Sequence, residues 1–399
     1  MGAPSGEGLA LDTTARSVID ADSHVLEPAD LWTSRVPSKY AESVPHVAVE
    51  PTSGHRHWRV GDAWLWPVGF WAQAGWKDYP PLQPWEYEDA ERGSYDPKAR
   101  LAKLDEYGIE AQVLYPNLIG FQAPRFEALG PELALLCTAA YNDYLLEEWA
   151  AADRKRFVPI AMLPFWDLEA SVKEMQRCVE LGHKGILFAN KFERVDLPNF
   201  CDPYWDPVYA AAQEMDIPVN FHIGFTLDSA HKPDASVLAS RRDNLAEARK
   251  AKSLESASLL MGQCDTLGKL LTSGLCRRFP RLKLVSVETG FGQVPFYLEA
   301  LDWHWKAHGN PVDDLLPSEY FTRQCYGTLW FERTTLALLE QYPDNFMFST
   351  DYPHPTSLSP GPASPAELPK DHIEHGYAGL DPTLVDKVLS RNAKAVYGL

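Results

Sequence analysis

Eight short apolar runs, most of them followed by a stretch with helical spacing, constrain this chain more than any other feature. The runs are residues 17–24 (SVIDADSH), 111–117 (AQVLYPN), 157–163 (FVPIAML), 184–190 (KGILFAN), 217–224 (IPVNFHIG), 282–289 (LKLVSVET), 323–329 (RQCYGTL) and 345–351 (NFMFSTD). Most are apolar almost throughout, as strands are when both faces of a parallel sheet are buried. Amphipathic segments such as 131–152, 167–181, 203–215 and 335–342 lie between them. Strand–helix alternation repeated eight times predicts a closed (β/α)₈ barrel over an open sheet. A doubly wound sheet would want a glycine-rich phosphate turn after its first strand, and here that strand ends in Asp-Ser-His.

A barrel of this kind accommodates 399 residues as one unit. The expected organisation is a loose tail over 1–16 and a single catalytic domain over 17–399. Two segments interrupt the alternation and are expected to act as lids, 25–95 and 225–262. The first carries seven of the thirteen tryptophans and is rich in proline. As a βα loop it emerges at the C-terminal face, where barrel active sites sit. Its tryptophans suit either a small accessory core or an aromatic wall over a bulky apolar substrate, to which Trp64 and Trp66 would contribute.

The net charge of −18 argues against nucleic acid or anionic membrane as a partner and fits an enzyme of small molecules. No run of ~18 apolar residues exists to span a membrane. Six scattered cysteines form no CxxC pair and read as buried thiols in a reducing, cytoplasmic compartment.

Side chains suited to metal binding fall at strand ends. Asp20, Asp22 and His24 alternate on the first strand, so a period of two points them to one face, with Asp20 a layer deeper. Glu27 follows. The fifth strand ends at His222, the sixth at Glu288, and the eighth at Asp351 with His354 three residues on. Each has a bland alternative, such as a turn cap, a hydrogen-bonded core histidine or a helix cap. Together they favour a metal, because parallel strand ends converge in a barrel and a cation compensates clustered buried ionisable groups. His231 could also reach the site, whereas His183 starts the fourth strand and belongs to the barrel floor.

The segments DADSHVLEP, VNFHIGF, FPRLKLVSVETGFG, FSTDYPHP and VLSRNAKAVYGL resemble the amidohydrolase-related group typified by aminocarboxymuconate-semialdehyde decarboxylase. The resemblance implies a (β/α)₈ barrel, a divalent metal held by Asp22, His24, His222 and Asp351, and decarboxylation or hydrolysis of small acids. Glu288 stands where such decarboxylases keep a catalytic histidine, and in this the chain resembles a branch of nonheme diiron monooxygenases on the same barrel. Seven candidate ligands, Asp22, His24, Glu27, His222, Glu288, Asp351 and His354, exceed the three or four of a mononuclear site. Their mixture of carboxylates and imidazoles suits paired iron. The favoured expectation is therefore a two-iron oxygenase hydroxylating a C–H bond, with Glu288, Asp351 and His222 in the chemistry. It would use an electron donor, and association with a second copy of the chain is left open. The alternative is a zinc- or manganese-dependent decarboxylase or hydrolase of a small carboxylic acid, with Glu288 as acid/base.

Overall fold

A computed structural model describes residues 16–225, 244–311 and 315–399. It opens with β1 (Ile19–His24), then three antiparallel strands, β2 (His46–Val49), β3 (Arg56–Val60) and β4 (Ala63–Pro67), in that order across a small sheet. The barrel resumes with β5 (Ala111–Tyr115) beside β1 and β6 (Phe157–Pro159) beside β5, both parallel. β7 (Ala161–Met162), β8 (Ile186–Leu187), β9 (Val219–His222), β10 (Leu284–Val287), β11 (Cys325–Leu329) and β12 (Phe346–Phe348) continue side by side in parallel. β6 and β7 are one barrel strand broken at Ile160, whose N–H donates to Leu114 O of β5 at 3.3 Å. The next N–H, of Ala161, turns to Gly185 O beside β8 at 2.9 Å. The ring closes where Ser23 bridges Tyr352, with His24 N donating to Tyr352 O at 2.7 Å and Asp351 N to Asp22 O at 2.9 Å.

Each of the eight apolar runs thus contains a barrel strand, and every residue of β1, β5, β9, β10 and β12 is buried. The helices between them start and stop on local signals. Helix Leu168–Leu181 begins at Asp167, whose carboxylate accepts from Ala170 N, and ends at Gly182 with φ of 122°, a conformation that favours glycine. One hydrophobic cluster runs from Val18 to Tyr397.

Part of the 25–95 segment forms the accessory core expected of it. Trp32, fully buried, packs edge-on against Trp58 at 5.3 Å and donates its indole N–H to Cys137 O, making an accessory core. Farther along, Gln73 N and Ala74 N both donate to Pro353 O, at 2.8 and 3.0 Å. Those bonds pin this stretch to the loop after β12. Of the second expected lid, residues 226–243 with His231 lie outside the described residues, as do residues 1–15 of the expected tail. Helix Leu245–Thr272 follows, with its buried residues only from Gln263 onward.

Candidate metal centre

The C-terminal ends of four barrel strands bring six ionisable side chains together. β1 supplies Asp22 and His24, β9 supplies His222, and Glu288 and Asp351 stand just past β10 and β12. His354 follows in the loop. Within β1, Asp20 pairs with Gln112 while Ser23 pairs with Leu114, so three residues oppose two. Such a bulge re-aims the side chains beyond it. Asp20 consequently stays below the cluster, accepting from Thr350 N at 2.8 Å, from the Thr350 hydroxyl and from Gln112 Nε2 at 2.7 Å.

Glu288 and Asp351 both adopt left-handed backbone, with φ of 57° and 56°. That conformation costs a non-glycine residue ~1–2 kcal/mol and persists only where surroundings enforce it. Glu288 N donates to Thr328 Oγ1 at 2.8 Å, and the buried Glu332 carboxylate gathers Phe291 N and Trp330 N at 2.5 and 2.9 Å. Asp351 is held by its bond to Asp22 O and by Thr356, whose hydroxyl donates to Asp351 Oδ2 at 3.0 Å. The two strained acids face the same cavity.

Hydrogen bonds to backbone carbonyls fix the histidine tautomers, because a carbonyl can only accept. His24 Nδ1 donates to Pro116 O at 3.1 Å and His222 Nδ1 to Ile223 O at 2.7 Å. Their Nε2 atoms then face each other across 3.0 Å. Asp22 Oδ1 lies 3.6 Å from His24 Nε2 and 3.4 Å from His222 Nε2, and both oxygens of this fully buried carboxylate lack a hydrogen-bond partner. Asp351 Oδ1, also without a donor, is 3.7 Å from His24 Nε2. Acceptors converging at such distances repel one another unless a proton or a metal lies among them, so this donor set fits a divalent metal. Ligand atoms of Asp22, His24 and His222, of His24, Asp351 and His354, and of Asp22, Glu288 and Asp351 each fall within 4.8 Å of one another.

The cavity is strongly polarising. Burial pushes the Asp351 carboxyl well above its usual range, and the neighbouring Asp22 charge adds to this. Burial and then Asp351 do the same to Glu288. Burial together with His354 and His222 drives His24 well down, and burial takes His354 down to about 3. For His222 burial also acts downward, but Asp22 and Glu288 outweigh it and raise the ring to about 9. Glu288 is the most accessible of the six, with 17% of its side chain exposed.

One expected ligand does not join. Glu27 is buried away from the cluster, its Oε1 accepting from Asn117 N at 3.0 Å and Leu118 N at 2.7 Å. Trp64 packs beneath the Arg59 guanidinium at 5.5 Å, and Arg59 itself lines a surface groove with Tyr40, Glu42 and Glu132. Trp66 stacks on Phe70 at 4.1 Å and meets Trp71 edge-on at 6.0 Å. The aromatic rings that approach the histidines are instead Trp71 and Phe121, stacked at 4.8 Å. Trp71 lies 5.4 Å from His354, and Phe121 lies 5.9 Å from His24 and 5.7 Å from His222. Asn117, too, was missed. It bonds His354 and follows β5 with nothing in the sequence to distinguish it from a turn residue.

Comparison with known proteins gives the family. The amidohydrolase family description matches residues 19–399, and the chain belongs to that family of metal-dependent barrel enzymes. A gamma-resorcylate decarboxylase of Polaromonas sp. is 28% identical over 303 residues, covering 69% of this chain and 81% of the relative. A 2-amino-3-carboxymuconate-6-semialdehyde decarboxylase of Dictyostelium discoideum is 23% identical over 74% of this chain and 80% of its own. Among solved structures, an amidohydrolase from Mycobacterium avium subsp. paratuberculosis superposes with a TM-score of 0.72 at 20% identity, covering 96% of this chain and 98% of the other. A dihydroxybenzoic acid decarboxylase of Polaromonas with bound manganese gives 0.57 at 21% identity, covering 96% and 97%. These findings overturn the expectation of a two-iron monooxygenase. The curated relatives are decarboxylases, and Glu27, which a second iron would need, is committed to backbone amides.

Proposed function

We propose that this chain removes CO₂ from an aromatic carboxylic acid, using one divalent ion, manganese or zinc, held by Asp22, His24, His222 and Asp351. The observation that carries the metal assignment is the pair of Nε2 atoms 3.0 Å apart beside the unpartnered Asp22 carboxylate. The decarboxylase names of the relatives support the reaction, and their substrates, resorcylate among them, suggest a hydroxylated ring.

When bound, the ion supplies Lewis-acid charge that anchors an anionic substrate and draws electrons from it. Glu288 supplies the proton. Burial and the Asp351 charge keep its carboxyl protonated, and it borders the ligand set, its Oε2 lying 3.8 Å from His222 Nδ1. Its proton passes to the ring carbon that bears the carboxylate. The bond from that carbon to the carboxylate then breaks, its electrons return to the ring, and CO₂ leaves. Glu288, left as a carboxylate, recovers a proton from water through its exposed edge. Trp71 and Phe121 offer a flat apolar wall against which a planar ring stacks. Residues 17–399 act as one catalytic unit. The six cysteines, all unpaired, suit a reducing compartment, and among the described residues no helix is long and apolar enough to cross a membrane.

The test is CO₂ release from a panel of hydroxybenzoates by protein loaded with Mn²⁺ or Zn²⁺, run in D₂O. One deuterium should appear at the carbon that lost the carboxylate. Metal-loaded protein that binds these acids but releases no CO₂ from any of them would remove the decarboxylase reading.

A further inference from the structure

We infer that Asn117 is a positioning residue that locks the His354 ring in its Nε2–H tautomer and so turns the Nδ1 lone pair onto the Asp351 side of the metal centre. The inference rests on the metal-centre reading above.

Six contacts carry it. Asn117 Nδ2 donates to Val25 O at 2.9 Å, and because a carbonyl only accepts, the amide oxygen must be the atom facing His354. His354 Nε2 lies 2.7 Å from that oxygen, so Nε2 holds the hydrogen. A neutral imidazole has only one, which leaves Nδ1 bare, 2.8 Å from Asp351 Oδ1, an oxygen that has no donor of its own. The ring cannot swing away, because it lies flat on His24 at 3.8 Å with 22° between planes. Asn117 is itself fixed from behind, since its backbone N–H and that of Leu118 end on the buried Glu27 carboxylate.

Glu27 therefore takes part at one remove. It anchors the turn after β5, the turn aims Asn117, Asn117 sets the proton on His354, and His354 presents an acceptor to whatever cation Asp351 holds. Without the Asn117 oxygen the ring's hydrogen is free to move to Nδ1. There it would bond Asp351 Oδ1 directly, satisfying that carboxylate with a proton and placing the proton in competition with the metal. Outer partners that orient ligands typically contribute 10–100-fold to metal affinity.

The experiment compares native protein with Asn117→Leu and Asn117→Asp, reading Mn²⁺ affinity by calorimetry and the His354 ring nitrogens by ¹⁵N NMR on metal-free protein. Asn117→Leu should bind Mn²⁺ about 10–100-fold more weakly and show His354 as the Nδ1–H tautomer. Asn117→Asp, which keeps an acceptor opposite Nε2, should retain the native tautomer and most of the affinity. Loss of affinity in Asn117→Leu with an unchanged tautomer would mean a merely structural role and overturn the inference, as would native affinity in that variant. The native spectrum decides the point even if Asn117→Leu does not fold, because Nδ1–H in metal-free native protein contradicts the lock. Native protein that binds neither Mn²⁺ nor Zn²⁺ would instead overturn the metal centre itself, and this inference with it.

Discussion

Replacing Asp351 with Asn should stabilise the metal-free protein while abolishing its response to metal. Asp351 is fully buried, burial and Asp22 hold its carboxyl well above the usual range, and its Oδ1 faces a bare His354 nitrogen at 2.8 Å. An asparagine tolerates the φ of 56° better than most residues. Its oxygen can accept from Thr356 while its nitrogen donates to His354 Nδ1, so one unsatisfied buried acceptor disappears, an effect of ~1–3 kcal/mol. Because the folded carboxyl value lies above the unfolded one of ~4, the native penalty is absent below that pH. The variant's advantage therefore grows as pH rises from there. Against this, saturating metal at a hundred times its dissociation constant stabilises the native protein by ~2.7 kcal/mol, and the variant by none of it. With unfolding entropy of ~2.1 cal/mol/K per residue, 1 kcal/mol corresponds to ~1.2 °C for a chain of 399 residues. Thermal melts with chelator and with Mn²⁺ measure both effects. The metal-free variant should melt ~1–4 °C above metal-free native protein. Mn²⁺ should lift native protein by ~3 °C and leave the variant unmoved. A metal-free variant that melts lower than native, or one that Mn²⁺ lifts equally, refutes the reasoning.

Glu288→Gln should retain its metal by elemental analysis yet decarboxylate ~10²–10⁴-fold more slowly, since only the proton donor is lost; a native rate would assign that proton elsewhere. His222, raised to about 9 in the metal-free protein, must surrender its proton before Nε2 can bind an ion. Metal affinity should therefore climb by at least roughly tenfold per pH unit below about 9, and calorimetry in buffers of different ionisation enthalpy should count at least one released proton; a count of zero removes His222 from the ligands. Trp71→Ala should raise KM for an aromatic substrate about two- to thirteenfold, from the loss of ~0.5–1.5 kcal/mol of stacking, without moving Mn²⁺ affinity; an unchanged KM would show that the ring binds elsewhere.

The barrel was legible because its signals are local. Each apolar run announces a strand, and parallel strands in a closed ring must deliver their C-terminal residues to one end. Asp22, His24, His222 and Asp351 could be grouped on that argument before any distance was known. Trp71 and Phe121 could not. Neither lies on a barrel strand, and their approach to the histidines depends on where two loops cross, as in the two bonds that tie Gln73 and Ala74 to Pro353 O. Trp64 and Trp66 share a strand spacing, which is silent about what that strand packs against.

Counting acids and imidazoles was the step that misled about chemistry, and Glu27 and His354 show why. Each lies three residues past an expected ligand, and sequence spacing treats them alike. After His24 the chain pairs onward, with Val25 N on Tyr115 O and Leu26 N on Ser94 O, which carries Glu27 away to the amides of the β5 turn. After Asp351 the left-handed φ and the bond from His354 N to Asp351 O fold the chain back at once, and His354 returns to the cavity. A buried carboxylate thus has two ways to remain buried, a cation or a set of backbone amides, and its residue type does not distinguish them. Asp20, Glu27 and Glu332 take the amides and hydroxyls. Asp22 has no donor on either oxygen and Asp351 none on Oδ1. It is this missing satisfaction, rather than the number of acids at the barrel mouth, that separates Asp22 and Asp351 from the other buried acids and supports the single-ion proposal, in which Glu288 carries the proton.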